Sequence, residues 1–320
     1  MDDAVGPVAA LDCGTNSTRL LIVAGDGSVL ERHMRITRLG EGVDATRKLS
    51  SEAMARTVSV LRAYRALMER HGVVAARLVA TSAARDATNA DEFLAAALEV
   101  TGVRPEILSG TEEGALSFAG ATAHVPAERV GPGPVLVVDI GGGSTELVAG
   151  EIYPGAPVLR PSDVAAVSLD VGCVRVTERF LHADPPRPEE LARAHRAVDE
   201  QLHAAHRRLP ALAAGGLLIG LAGTVSTIAA LDLGLARYER AAVHHVVLAR
   251  PRVGHWLETL AAENSAARLA RPGMVEGRAD VIVGGVLILA SVMAVFDRET
   301  CLVSEDDILD GLVASLQTPG

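Results

Sequence analysis

Two stretches of this chain carry the same residue types at the same spacing. Asp12-x-Gly14-x-x-Ser17-Thr18 recurs as Asp139-x-Gly141-x-x-Ser144-Thr145, each copy preceded by an apolar run and followed by another. In the first copy Thr15 and Asn16 complete the turn; in the second, Gly141, Gly142 and Gly143 stand together, and Glu146 follows. Glycines let backbone N–H groups approach a ligand closely. Carboxylates beside such a turn are oxygen donors suited to a hard cation such as Mg²⁺, directly or through water. The combination reads as a phosphate cradle with a metal, although a plain glycine-rich hairpin turn satisfies the same residues. An Asp-tipped β-turn-β unit that occurs twice implies two like domains. Their turns would face each other across a cleft and hold opposite ends of a phosphate chain.

Three further places could contribute chemistry. Gly223-Thr224 lies at a strand-to-helix turn, where a helix N-terminus offers N–H groups to an anion, but Gly-Thr is also a routine cap pair. Ser109 and Glu112 have capping-box spacing, which gives Glu112 a structural task. Its neighbour Glu113 has none assigned: it either sits in the first helical turn for its favourable electrostatics, or it orients and deprotonates a water for attack on phosphorus. Arg85 either pairs with Asp86 or another acid, or binds phosphate in bidentate fashion. His244-His245 read as strand residues, since their spacing matches no metal motif.

The elements that must position these groups alternate strand and helix after an opening antiparallel meander, which predicts an α/β domain. A third strand over 29–39 carries Arg32, Arg35 and Arg38, two of the three expected on a solvated face. A helix over 50–71 is capped by Ser50 or Ser51. Strand 77–81, helix 91–100, strand 105–108 and a helix from about 111 follow. The Pro/Gly-rich segment 124–134 is the expected linker. The second domain repeats the plan with a hairpin over 135–151, strand 164–169, helices from Arg175 and Pro188, and strand 217–221. The last segment starts as a strand at Cys301 and becomes a helix whose apolar face, Ile308, Leu312, Val313 and Leu316, needs a cover. The domains expected are 1–125, with 301–320 packing back on it, and 126–300.

Composition narrows the function. Lys48 is the single lysine, so no Gly-x-x-x-x-Gly-Lys-Ser/Thr exists and the P-loop NTPases are excluded. The net charge of −10 argues against general nucleic-acid binding and requires local Arg, metal or amide donors for any anionic substrate. The apolar run 281–296 is short for a bilayer and contains Gly284-Gly285, so a buried helix is expected and no membrane association. The acidic start Met1-Asp2-Asp3 is unlike a signal peptide, which predicts cytoplasmic residence. Cys13, Cys173 and Cys301 are odd in number and far apart, and read as small core residues.

The segments DCGTNST, ATSAARDATN, SGTEEGALSFAG, VDIGGGSTELV, SLDVGCVRVTE, GLAGTVSTIAAL, RADVIVGGVLIL and VSEDDILDGL, in this order over nearly the whole chain, resemble the exopolyphosphatase/guanosine pentaphosphate phosphohydrolase (Ppx/GppA) family. The resemblance implies an α/β fold of two actin-like (ribonuclease H-like) domains, as in the actin, sugar-kinase and Hsp70 superfamily. It implies Glu113 as the catalytic acid and the two turns, Asp12 to Ser17 and Asp139 to Ser144, as phosphate loops. It further implies Arg85 as a phosphate contact, and Asp139 and Glu146, with Asp12 beside them, as acids for Mg²⁺ or Mn²⁺. The activity it implies is exopolyphosphatase, releasing terminal orthophosphate from inorganic polyphosphate. Guanosine pentaphosphate hydrolysis, a superfamily kinase and a non-catalytic polyphosphate or alarmone sensor are the alternatives, and a homodimer is left open. Longer members add helical modules, including an HD-type one; this chain has no His-Asp dipeptide and matches the short two-domain form, for which short chains are the expected substrates. Gly114 stands where many relatives have Ala, which loosens the helix start slightly.

Overall fold

A computed structural model describes residues 6–130, 134–152, 164–214 and 216–317 of the chain; positions 131–133 of the expected linker and the last three residues lie outside them. The chain divides into two compact units, Met1–Gly120 with Ile308–Gly320, and Ala121–Asp307.

In unit 1, β1 (Val8–Cys13) and β2 (Ser17–Val23) form a hairpin, followed by β3 (Val29–Ile36) and a short helix α1 (Val43–Thr46). Helix α2 (Ser51–Arg70) begins at Ser50, whose hydroxyl accepts the Ala53 N–H at 3.1 Å. Then come β4 (Ala75–Ala80), α3 (Ser82–Asp86), α4 (Ala90–Thr101), β5 (Pro105–Ile107) and α5 (Gly110–Thr122). The sheet order is β3-β2-β1-β4-β5, antiparallel across β1–β3 and parallel from β1 to β5. All six residues of β1 are buried because the strand is covered on both faces. Alternation along it sends Ala9, Leu11 and Cys13 into one core with Leu61, Tyr64 and Phe93, and Val8 and Ala10 into another. Helix α2 reaches the first core through Ala53, Thr57, Leu61, Tyr64 and Met68, one row at three- and four-residue steps.

Unit 2 repeats the hairpin as β6 (Val135–Ile140) and β7 (Thr145–Gly150), continues through β8 (Ala165–Leu169), α6 (Cys173–Phe180), α7 (Pro188–Arg208), β9 (Leu218–Leu221) and α8 (Ala222–Asp232), and adds α9 (Arg240–Val243), β10 (Val247–Ala249), α10 (Arg250–Ala261), α11 (Ser265–Leu269), α12 (Ile282–Val295) and β11 (Thr300–Val303). Its sheet runs β10-β11-β9-β6-β7-β8. Helix α12 is apolar all round and packs against α6, α7, α8 and α10, which is why the run 281–296 is a core helix. Gly284 and Gly285 make that packing close: a Cβ on Gly284 would meet the Cys173 carbonyl at 2.8 Å, and one on Gly285 would overlap the Thr224 side chain.

The last helix, α13 (Ile308–Gln317), belongs to unit 1. Ile308, Leu309, Leu312 and Val313 fill the second core against Val8, Ala10, Leu21 and Val23, with roughly 1.5–3 kcal/mol of hydrophobic stabilisation for each fully buried side chain. The expected return of the whole of 301–320 is corrected here. β11 pairs with β9 and β10 in unit 2, and only the helix returns.

Other departures are local. The helix expected from Arg175 starts at Cys173, because the N–H groups of residues 173–175 have loop carbonyls to bond. Of the three arginines on and after β3 only Arg35 is exposed: Arg32 is bound to Asp310 on α13, and Arg38 sits in a turn at φ 49. His244 and His245 precede β10 rather than lying in it, His244 as the cap of α9 and His245 at φ 63. The three cysteines are free and buried, and burial pushes all their thiols up, Cys173 to about 11 and Cys301 to about 12.

Candidate active site

In unit 1 the β1–β2 turn closes with the Gly14 N–H on the Ser17 carbonyl at 2.9 Å. The loop carbonyls are held from behind by the segment after β3: Thr15 accepts from Gly40 (2.9 Å), and Asn16 accepts from Thr37 and Arg38 (both 3.0 Å). Asp12 is buried, and its Oδ2 accepts from Arg19 Nε at 2.9 Å and Nη2 at 2.6 Å. Arg19 is its direct partner across the hairpin.

The two acids at the start of α5 have separated roles. Glu112 Oε2 accepts from the Ser109 N–H (2.9 Å) and hydroxyl (2.7 Å), which completes the capping box and holds its carboxyl below the usual carboxylate range. Glu113 is 8% exposed, and its Oε2 accepts from Arg85 Nη1 at 3.1 Å. Arg85 comes from α3 and also donates to the Leu108 carbonyl at 2.8 Å. The acid that sequence leaves without a structural task and the arginine without an identifiable partner are thus bonded to each other. A guanidinium fixed on one carboxylate oxygen sets where the other oxygen points.

In unit 2 the same turn closes with the Gly141 N–H on the Ser144 carbonyl at 3.0 Å. Here the supporting segment is the first turn of α6. The Gly141 carbonyl accepts from Cys173, Gly142 from Val174 and Arg175, and Gly143 from the buried Arg175 guanidinium, Nε at 2.7 Å. Gly172 permits this approach, since a Cβ there would collide with the Gly142 backbone. Asp139 and Glu146 are both buried and are direct partners across β6–β7; Glu146 Oε1 accepts from the Ser168 hydroxyl at 2.7 Å.

Helix α8 opens with Ala222, left-handed at φ 67, followed by Gly223 and Thr224. Arg278 Nη1 donates to the Gly223 carbonyl (2.7 Å) and Thr227 hydroxyl (2.8 Å), and its guanidinium carbon lies 2.6 Å from where a Gly223 Cβ would be. The absence of a Cβ at Gly223 lets the arginine lie this close.

Among the described residues no group of three or more His, Cys, Asp or Glu side chains is placed to hold a metal ion. The donor set fits Mg²⁺ in the way that ion is commonly held, by one or two carboxylates with water and substrate phosphate oxygens completing the octahedron. Asp139 and Glu146 are such a pair. Asp12 belongs to the other unit and carries its own guanidinium, so of the three acids expected to bind metal it is the least suited.

Arg19, Arg175 and Arg278 were not singled out by sequence. Arg19 had a signal: it occupies the repeat position that Glu146 holds in the second copy. Arg175 and Arg278 bind backbone carbonyls, and a carbonyl leaves no residue type to read.

A model of the Ppx/GppA phosphatase family matches residues 21–318. The chain is 42% identical to exopolyphosphatase 2 of Mycobacterium tuberculosis H37Rv, over 98% of this chain and 99% of that protein. It superposes on the crystal structure of an exopolyphosphatase-like protein with a TM-score of 0.89 at 36% identity, over 97% and 98% of the two chains. It superposes on that of an exopolyphosphatase from Cytophaga hutchinsonii with a TM-score of 0.85 at 26% identity, over 97% of both. The fold is thus shared with relatives along nearly the full length, and the chain belongs to the Ppx/GppA phosphatase family.

Proposed function

We propose that this protein is an exopolyphosphatase that hydrolyses the terminal phosphoanhydride of inorganic polyphosphate, with Glu113 as general base. The observation that carries the reading is the separation of the two acids on α5: Glu112 is consumed by the helix cap, while the buried Glu113 is aimed by Arg85. The name of the mycobacterial relative supports the substrate class.

In this reading the glycine-turn amides bind and orient the terminal phosphate. Glu113 takes a proton from water as the water oxygen forms its bond to phosphorus. The bridging P–O bond breaks, and the electron pair leaves with the shortened chain. Bound at Asp139 and Glu146, Mg²⁺ or Mn²⁺ would supply positive charge to the phosphate oxygens. Preorganised donors and a positioned base are the two terms such a reaction needs from a protein.

Guanosine pentaphosphate is the second candidate substrate, as the sequence resemblance implies. Cytoplasmic residence fits three free, buried thiols; among the described residues no helix is long and apolar enough to cross a membrane. The test is orthophosphate release from short polyphosphate, long polyphosphate and guanosine pentaphosphate, with no acceptor present. Release from polyphosphate supports the reading; release only from guanosine pentaphosphate moves it to the second substrate, and none from either refutes it.

A further inference from the structure

In unit 2 three successive loop carbonyls, Gly141, Gly142 and Gly143, all point at the first turn of α6. Asp184-Pro185 is the one cis peptide among the described residues, so the loop peptides are trans. In a trans peptide the C=O of one residue and the N–H of the next point in opposite directions. The N–H groups of Gly142, Gly143 and Ser144 must therefore point away from α6, together, on the side where an anion would be cradled.

The three carbonyls are not anchored alike. Gly141 and Gly142 are held by backbone amides of residues 173–175, whereas Gly143 is held by the Arg175 side chain through Nε. In unit 1 the equivalent carbonyl, that of Asn16, is held by two backbone amides. The third donor of the unit 2 loop, the Ser144 N–H, thus takes its direction from one side chain.

We infer that Arg175 is a positioning residue for phosphate transfer: by fixing the Gly143 carbonyl it aims the Ser144 amide at the phosphate. Arg175 is 6% exposed and its Nε is bonded to the Gly143 carbonyl, so it acts through the peptide group. The inference rests on the hydrolytic reading given above.

Two substitutions separate the hydrogen bond from the charge. Arg175→Gln places an N–H donor at the position of Nε and removes the charge. Arg175→Met has the length of the Gln variant and offers no donor. Losing one preorganised donor to a developing oxyanion costs about 10²–10³ in rate, and a loop left free to rotate loses part of that. Steady-state phosphate release should show Arg175→Gln within about threefold of wild type and Arg175→Met down about tenfold or more, mainly in kcat. Equal losses in both variants, or an unchanged Met variant, overturn the inference.

Should Arg175→Met fail to fold, the wild-type protein still decides. Orthophosphate added to isotopically labelled protein should move the Ser144 amide resonance along with those of Gly142 and Gly143; a Ser144 resonance that stays fixed while the other two move, or three unmoved resonances, overturns the inference. Absence of phosphate release by wild type from any substrate counts against the hydrolytic reading alone, and the titration remains interpretable.

Discussion

Asp139 and Glu146 are direct cross-strand partners in unit 2, at the two repeat positions where unit 1 pairs Asp12 with Arg19. An arginine at this position in one hairpin and a glutamate in the other leave the first acid balanced and place a second acid beside the other. In unit 1 the acid at the strand end is matched by a guanidinium on its own ladder. In unit 2 the register sets two buried acids opposite each other; like charges are unfavourable as cross-strand neighbours, and a divalent cation would offset them. The two turns share a backbone design and differ in the charge beside it.

That difference predicts a metal requirement located in unit 2. EDTA-treated protein should release no phosphate until Mg²⁺ or Mn²⁺ is restored. Glu146→Gln, whose amide oxygen can still accept from Ser168, should raise the Mg²⁺ concentration for half-maximal rate by about tenfold or more, in the range seen when a metal site loses one supporting group. An unchanged Mg²⁺ curve in this variant would remove the acid pair from metal binding.

The ion pair of Arg85 with Glu113 predicts non-additivity. Arg85→Met should lower kcat by about 10–10² in the wild-type background, because the base loses its orientation. In the Glu113→Gln background the same change should cost only a few fold, since residues that act as a unit do not add. Equal factors in both backgrounds would mean that Arg85 serves the reaction independently of Glu113.

A pH effect on stability follows from His244. Burial, and next the adjacent His245 ring, push its imidazole down to about 4, and its Nδ1 accepts the Glu305 N–H at 3.0 Å. The unfolded chain binds this proton near its ordinary value of about 6.5. Between about 6.5 and about 4 the unfolded state therefore holds more protons, and stability falls as pH falls through that window. His244→Asn places an oxygen acceptor where Nδ1 stood and cannot be protonated there. Its denaturant midpoint should vary less with pH across the window; a slope equal to that of wild type would show that other groups set it.

What could be read from the sequence was what lies close in it. The two Asp-x-Gly-x-x-Ser-Thr turns form equivalent hairpins, and Ser109 with Glu112 forms the capping box its spacing announces. The apolar face of the last helix declared that it needed a cover, though not that Val8 and Ala10 supply it. Arg85 and Glu113 are 28 residues apart, so each was a candidate and their bond was not visible. Arg175 and Arg278 act on carbonyls of a loop and a helix start; their role depends on the approach of α6 and α12, which Gly172 and Gly285 permit and no local pattern encodes. The displaced start of α6 has the same cause, since it begins where the loop carbonyls need donors.

The central claim is that Glu113, and not Glu112, serves the attacking water, and kcat for Glu113→Gln beside Glu112→Gln tests it most directly. The Gln at 113 keeps the size of the side chain and an acceptor for Arg85, so KM should stay within a few fold while kcat falls by about 10²–10⁴, the usual cost of losing a general base. The Gln at 112 can still complete the capping box, so kcat should stay near that of wild type with a thermal midpoint lowered by a few degrees at most. An active Glu113→Gln beside an inactive Glu112→Gln would reverse the two roles, and full activity in both would show that neither acid is the base.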